Sequence, residues 1–291
     1  MNSTRYVVIT PVRNEGKHLP QTIESMACQT IRPAIWVIVN DGSSDNTGHV
    51  ADAAAAKHSW IRVVHRSDRG FRKSGGGVIE AFYDGCALVQ SPDWDFLGKL
   101  DGDLAFGPGY FEGCLARFRA DAKLGIGGGR VYSKVNGSFI EDAPGDPLFH
   151  VRGATKIYRR ATWEAIGGLL RVTGWDTLDE LKANMLGWRS YSFKELKVQQ
   201  LKPTGSADGT WKNWFKNGQA NYISGYHPLF MVSKCIRRLF CKPYGIGAAG
   251  LFCGFVSSYW NGVPRVADEQ LIRYIRRQQM HRLLLRDSLW R

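Results

Sequence analysis

No cysteine pair in this sequence has the spacing of a metal knuckle or a redox centre. The six cysteines, at 28, 86, 114, 235, 241 and 253, contain no C-x-x-C, which removes zinc ribbons and thioredoxin-type chemistry. Thiols scattered in this way fit core packing in a reducing cytosol. Long apolar runs are also scarce. Tyr6 to Ile9 is too short for a secretory h-region, and Pro11 and Arg13 follow it directly. There is no internal repeat and no low-complexity tract, and the Gly75 to Gly77 run is neither a Walker A sequence nor a G-x-G-x-x-G. Acidic residues are in deficit: 26 Asp and Glu stand against 39 Lys and Arg in 291 residues, a net charge of +13. Such an excess points to anionic partners, whether nucleic acid, an acidic membrane surface or phosphorylated substrates.

A chain of this length, 44% hydrophobic, can bury a substantial core as one large α/β domain with or without an extension. Its first half alternates short apolar runs with amphipathic stretches, which predicts strand–helix repeats and a mostly parallel sheet. Strands are expected at 6–10, 35–40, 61–65 and 96–100, with another beginning at 127. Helices are expected at 19–29, 45–58, 77–88 and 108–120. Further on, 150–158 reads as a strand, 161–166 as a short helix closed by Gly167-Gly168, and 176–186 as a helix. After Pro203 the chain turns aromatic, glycine-rich and basic. Gly205 to Gly225 is expected to be an acceptor-side loop, and 268–290 a basic helix. Between Lys242 and Arg265 there is no charged residue. The stretch is long enough to span a membrane, but its glycines, Asn261 and a proline at each end favour a buried or membrane-surface helix.

The chemistry gathers at the ends of the expected strands, where ligands sit in an open parallel sheet. After the fourth strand comes Asp101-Gly102-Asp103. Two carboxylates at i and i+2, just past a buried strand, can reach a common point. Holding a divalent metal against a diphosphate needs that arrangement, because Mg²⁺ takes only one or two protein carboxylates and completes its shell with phosphate oxygens and water. After the first strand comes Thr10 to Glu15, after the second Asn40 to Thr47, and after the third the basic, glycine-rich run Arg66 to Gly77. Carboxylates for base, ribose or metal thus share one crevice with cations and a glycine-rich helix start for phosphate.

This order of motifs resembles family 2 glycosyltransferases of the GT-A fold over roughly residues 5–190. It is carried by P-x-x-N-E at Pro11 to Glu15, D-G-S-x-D at Asp41 to Asp45, Arg69 to Gly77, D-G-D at Asp101 to Asp103, and the stretch Gly153-Ala154, Arg159-Arg160, Gly167-Gly168. The resemblance implies a GT-A catalytic domain over 1–200 and a basic, helical, acceptor-side or membrane-proximal extension over 201–291. It implies that Pro11 and Glu15 frame the nucleotide, that Asp41 bonds the base, and that Asp101 meets ribose or metal-bound water. Asp103 would ligate Mg²⁺ or Mn²⁺ at the diphosphate, with Arg69, Arg72 and Lys73 assisting at the phosphates. An inverting transfer also needs a general base, which the family supplies from an E-D pair at a helix start ahead of a G-[WY]. Gly187-Trp188 matches the far end, and the usual spacing lands on Asp176. The sequence departs from the pattern there, because Trp175 stands where Glu is expected. Asp179 and Glu180, one turn on, form the second candidate pair, with Asp179 the reserve for Asp176.

The expected activity is therefore metal-dependent, inverting transfer from a nucleotide-diphosphate sugar to a hydroxyl acceptor. A lipid-linked saccharide of cell-surface polysaccharide or glycolipid synthesis is the expected acceptor. Trp211, Trp214 and His227 are open to contact with sugar or lipid, and the basic C-terminal region to peripheral contact at the cytoplasmic face of the membrane. Retaining transfer or nucleotidyl transfer on the same fold is the alternative. A nucleic-acid-binding or scaffolding protein would also use the positive charge, but it leaves the Asp101-Gly102-Asp103 acids unexplained, since they repel phosphate.

Overall fold

A computed structural model describes residues 4–70, 76–89, 94–135, 137–202 and 209–290. The first half runs β1 (Tyr6–Val12), α1 (Leu19–Ala27), β2 (Ile35–Asp41), α2 (Thr47–Lys57), β3 (Ile61–Arg66), α3 (Gly76–Cys86), β4 (Phe96–Leu100), β5 (Leu104–Phe106) and α4 (Tyr110–Ala120). Then come β6 (Leu124–Val135), β7 (Ser138–Glu141), β8 (Thr155–Arg159), α5 (Arg160–Ile166), α6 (Trp175–Met185) and β9 (Arg189–Gln200). Four helices close the chain: α7 (Thr210–Ile223), α8 (Pro228–Leu239), α9 (Ile246–Trp260) and α10 (Glu269–Leu283).

Among the described residues nine strands form one sheet in the order β3-β2-β1-β4-β8-β6-β9-β5, with β7 paired to β6. The half built from β3, β2, β1 and β4 is parallel throughout. The other half is mixed: β8 runs antiparallel to β4, β6 and β9 are parallel, and β5 is antiparallel to β9. β1 is buried at every position because helices cover both faces of the sheet. Val8 and Val12 face one core with Leu19, Trp36 and Phe111, while Val7 and Ile9 face the other with Val39, Ile79 and Phe82. Pairing of Val12 with Asn40 and of Ile9 with Lys99 brings the C-terminal ends of β1, β2 and β4 to one edge.

The expected α/β fold is present, with the early strands and helices within a few residues of their expected bounds. Three differences matter. β9 was not expected: its twelve residues include Lys194, Glu195 and Lys197, and its bulged register against β6 between Gly129 and Arg130 breaks the alternation that marks a strand. The strand expected from His150 begins only at Thr155, because His150 is turned toward Glu180 and a backbone bond from Thr155 N to Arg152 O closes a turn first. The loop expected over Gly205 to Gly225 is mostly helix: α7 spans Thr210–Ile223, while residues 203–208 lie outside the described residues.

α7 crosses α9 at glycines. A Cβ on Gly218 would stand 2.2 Å from Leu251 O, and one on Gly254 2.0 Å from Phe215 O. Backbone therefore meets backbone, which accounts for the glycines of the uncharged stretch. α9 has fifteen residues, and no helix among the described residues is long and apolar enough to cross a membrane. A third core joins these helices to α6 through Leu178, Leu181, Tyr222, Met231, Leu251 and Ile275.

Candidate active site

The loops after β1 and β2 clasp each other. Asn14 N–H donates to Ser43 Oγ at 2.9 Å, Ser44 N–H returns to Asn14 Oδ1 at 2.9 Å, and Glu15 N–H donates to Thr47 Oγ1 at 2.8 Å. Asn14 takes a positive φ of 55° to make the turn, a conformation Asn tolerates better than most residues. Burial pushes the Asp45 carboxyl up, but hydrogen bonds from Thr47 and from Gly16 N–H outweigh it and hold the group below its ordinary value. Asp41, at the end of β2, is ion-paired with both Arg66 and Arg69. Arg69 also reaches Glu80 at 3.2 Å, and Arg13 donates to the Asp41 carbonyl at 2.8 Å. Asp41 and Arg69, expected at base and phosphate respectively, are thus partners of each other. Arg69 reaches a phosphate only by leaving Asp41 or Glu80. Arg72 and Lys73 lie outside the described residues.

Asp101 and Asp103 stand where β4 ends. Gly102 between them has no room for a side chain: a Cβ would lie 2.4 Å from Val12 Cγ1. Thr22 Oγ donates to Gly102 O at 2.9 Å and accepts from Leu104 N–H at 3.0 Å, fixing the turn from both sides. Asp101 is paired with the buried Lys99. Asp103 is 7% exposed. Its pKa is pushed up to about 7, first by burial and then by the charges of Asp101 and Glu15. Gln200, at the end of β9, donates to Asp103 Oδ2 at 3.4 Å, and Lys202 pairs with Glu15 Oε1 at 2.9 Å. The other Glu15 oxygen, Oε2, is buried without a hydrogen-bond partner among the described residues.

Asp103 thus lies within the fields of Asp101 and Glu15, which are paired with Lys99 and Lys202, while one Glu15 oxygen is orphaned among the described residues. This donor set fits a hard divalent cation. No cluster of three or more His, Cys, Asp or Glu side chains able to hold a metal by themselves occurs among the described residues, so phosphate oxygens and water would have to supply most of the shell.

α6 starts at Gly174, which takes a positive φ of 86°, and its first turn carries Asp176 half-buried, where the helix dipole favours an acid. Below it lies a sealed ionic cluster. Lys156, buried on β8, donates to the Asp176 backbone carbonyl, to both Asp179 oxygens at 2.7 and 2.9 Å, and to Glu180 Oε1 at 2.8 Å. Tyr158 Oη donates to Asp179 Oδ2 at 2.5 Å. Glu180 also accepts from Val151 N–H at 2.7 Å and is paired with His150 at 2.9 Å. Burial raises the Asp179 pKa to about 6, against the pull of Lys156. The reserve pair Asp179 and Glu180 therefore faces inward, with side chains 1% and 0% exposed, while Asp176 stays partly exposed.

Trp175, at the position where the family pattern expects Glu, joins the two halves of the site. Lys99 Nζ lies 5.5 Å from its ring centroid and Lys156 Nζ 5.7 Å, within range of cation–π attraction. Asp101, Lys99, Trp175 and Lys156 form a continuous path from the D-G-D turn to the start of α6. Sequence reasoning missed Lys99, Lys156, Gln200 and Lys202. Lys99 had a signal, a cation inside an otherwise apolar strand two residues before the first of the acids. Gln200 and Lys202 had none, because β9 itself was not recognised. Trp214 packs on α9 at Gly250 with Arg238 stacked 4.0 Å from its ring centroid, and His227 caps α8. Trp211 stays 47% exposed.

The description Glycosyl transferase family 2 matches residues 7–168. Among curated proteins, glycosyltransferase GlyG of Streptococcus pneumoniae is 26% identical over 133 residues, covering 45% of this chain and 41% of that protein. Polyprenol monophosphomannose synthase of Mycolicibacterium smegmatis is 27% identical over 179 residues, covering 56% of this chain and 64% of that protein. The matched region therefore spans about two fifths of the first relative's length and just under two thirds of the second's. Among solved structures, mannosyltransferase PcManGT from Pyrobaculum calidifontis, in complex with GDP-Man and Mn²⁺, superposes with a TM-score of 0.57 at 17% identity, over 99% of this chain and 77% of that one.

Proposed function

This chain belongs to glycosyl transferase family 2 by its match over residues 7–168, and from that premise we propose that it moves a sugar from a nucleotide-diphosphate donor to a hydroxyl acceptor, with inversion and with a divalent metal. The observation that carries the reading is buried Asp103 under the charges of Asp101 and Glu15, with one Glu15 oxygen orphaned among the described residues. PcManGT, whose structure holds GDP-Man and Mn²⁺, supports the choice of ligands.

In this reading the clasped loops hold the nucleotide, with Pro11 and Glu15 along one wall and Asp41, fixed by Arg66 and Arg69, toward the base. Arg69 is the cation assigned to the phosphates, together with Lys73, which lies outside the described residues. Asp103, helped by Asp101, would hold Mg²⁺ or Mn²⁺, which as a Lewis acid and template would neutralise charge on the departing diphosphate. Asp176 takes the proton of the acceptor hydroxyl as its oxygen attacks the anomeric carbon and the bond to the diphosphate oxygen breaks. A single displacement of this kind inverts the centre. Asp179 acts through position alone, as Lys156 ties it and Glu180 beneath the Asp176 turn. Residues 1–200 carry the catalysis and 201–291 the acceptor side. Polyprenol monophosphomannose synthase among the relatives supports a lipid-linked acceptor, and with it a place at the cytoplasmic face of a membrane.

The test is thermal stabilisation by UDP, GDP, CMP and dTDP and their sugars, with and without Mn²⁺ or Mg²⁺, because a ligand of the native state raises apparent stability by mass action. Metal-dependent stabilisation by one nucleotide in the wild type, absent in Asp103→Ala, is the expected result. No response to any nucleotide would sink the reading.

A further inference from the structure

The positive charge is not spread over the molecule. From Gly209 to the end the sequence has thirteen Lys and Arg against three Asp and Glu, which is ten of the thirteen net charges; from Gly209 to Ala267 it has seven basic residues and no acid. The same segment holds exposed apolar side chains. Of the twenty large hydrophobic residues exposed among the described residues, ten lie between Leu229 and Trp260, far more than that stretch's share of the chain.

α8 arranges them. Leu229, Val232, Ile236 and Leu239 are spaced by three, four and three residues and therefore line one face of the helix. All four are exposed, and Ile236 is 54% so. The neighbouring residues Phe230 and Met231 point the other way, into the core shared with α6, α7, α9 and α10. The helix thus spends one apolar face on the protein and keeps a second for something outside it. The turn into α9 adds Phe240, 77% exposed, and Tyr244, and the end of α9 adds Tyr259 and Trp260. Arg237 and Lys242 are exposed beside these residues.

We propose that the α8 face and the turn after it dock on an anionic lipid bilayer, with α8 lying in the plane of the interface. An apolar face flanked by Lys and Arg is what such a surface binds, and exposed Trp and Tyr at its margin suit the headgroup level. Charge complementarity selects this occupant over a second copy. Two identical faces brought together would place basic rims opposite each other with no acid in the segment to pair with them. The core that receives Phe230 and Met231 also receives Leu178 and Leu181 of α6, and the Gly174 turn packs against Ala220 of α7. Docking therefore presents the start of α6, and Asp176 with it, at a fixed height above the lipid. This deepens the lipid-linked reading above without depending on it, since binding to vesicles is measured with neither donor nor acceptor present.

The experiment is co-flotation of the full chain with vesicles of phosphatidylcholine alone and of phosphatidylcholine mixed with phosphatidylglycerol, over a salt series. Wild type is compared with Ile236→Glu/Phe240→Glu and with Arg237→Glu/Lys242→Glu. All four positions are exposed, so circular dichroism of the variants should match wild type. The expected result is binding to the anionic vesicles only, weakened by salt and reduced roughly tenfold or more in each double variant. Absence of wild-type binding overturns the proposal, as does binding that the Ile236→Glu/Phe240→Glu pair leaves unchanged. A wild-type dimer by sedimentation equilibrium that the same pair converts to monomer, without vesicle binding, would assign the face to a second copy.

Discussion

Lys156 is a lone ammonium set among two buried carboxylates and a helix end, so its removal should be felt more than that of any surface charge. Lys156→Met leaves Asp179 sealed without a counter-ion and Glu180 with His150 alone, and breaking a buried pair in this way costs about 3–5 kcal/mol. Urea denaturation should report a loss of that order, with Asp179→Asn in the same background recovering part of it. His150 gives the cluster a pH dependence. Burial lowers its pKa, but the adjacent Glu180 outweighs this and the net shift is upward from 6.5. A histidine raised on folding stabilises below its unfolded value, and that contribution is lost as pH rises through the folded one. The stability advantage of wild type over His150→Gln should therefore be largest near about pH 5.5 and shrink toward about pH 8; an advantage that grows with pH would contradict the assignment. Asp176 differs from Asp179 and Glu180 because it is partly exposed. Asp176→Asn should keep metal-dependent nucleotide stabilisation while losing turnover by about 10²–10⁴-fold, a split that tells a base from a donor-site residue.

At the level of elements, two close approaches explain residues that a polarity pattern cannot. Gly102 is required by Val12 on β1, so Gly102→Ala should cost about 1–3 kcal/mol and displace both flanking acids. Thermal unfolding, with and without Mn²⁺, would read stability and metal response together. At the α7–α9 crossing the obstacle is backbone, which cannot yield as a side-chain tip can. Gly218→Val should therefore separate the helices and lower the melting temperature more than Gly262→Ala at the exposed end of the same region, even though Gly262 takes a positive φ. The strands and helices up to α4, the three-residue β5 aside, were legible because each has an apolar period and a turn at its end. β9 was not: only four of its twelve residues are buried, its register shifts beside β6, and charged residues fill its middle. With β9 unseen, Gln200 and Lys202 could not be placed against Asp103 and Glu15.

For the whole molecule, the division proposed at residue 200 is a seam in charge more than in packing. The first 208 residues are close to charge balance, and the rest carries most of the excess. Yet the third core takes Leu178 and Leu181 from the catalytic part and Tyr222, Met231, Leu251 and Ile275 from the C-terminal helices. A chain cut after Gln200 would expose the outer face of α6 just where Asp176 begins. It should aggregate or elute as a broadened species in gel filtration while the full chain remains compact.

The sequence by itself determined the family, the α/β order and the location of the acids, because those depend on local periodicity and on short motifs whose residues are neighbours in the chain. It preferred Asp176 to Asp179 on motif spacing alone, with both at one helix start. The tertiary structure added a physical difference between them, packing Lys156 and Tyr158 from β8 against Asp179 while Asp176 stays partly exposed. The same holds for α8. Its two apolar faces are equivalent in the sequence pattern, and the fold decides which is core and which is surface, because burial is a property of what lies opposite a side chain and not of the side chain itself.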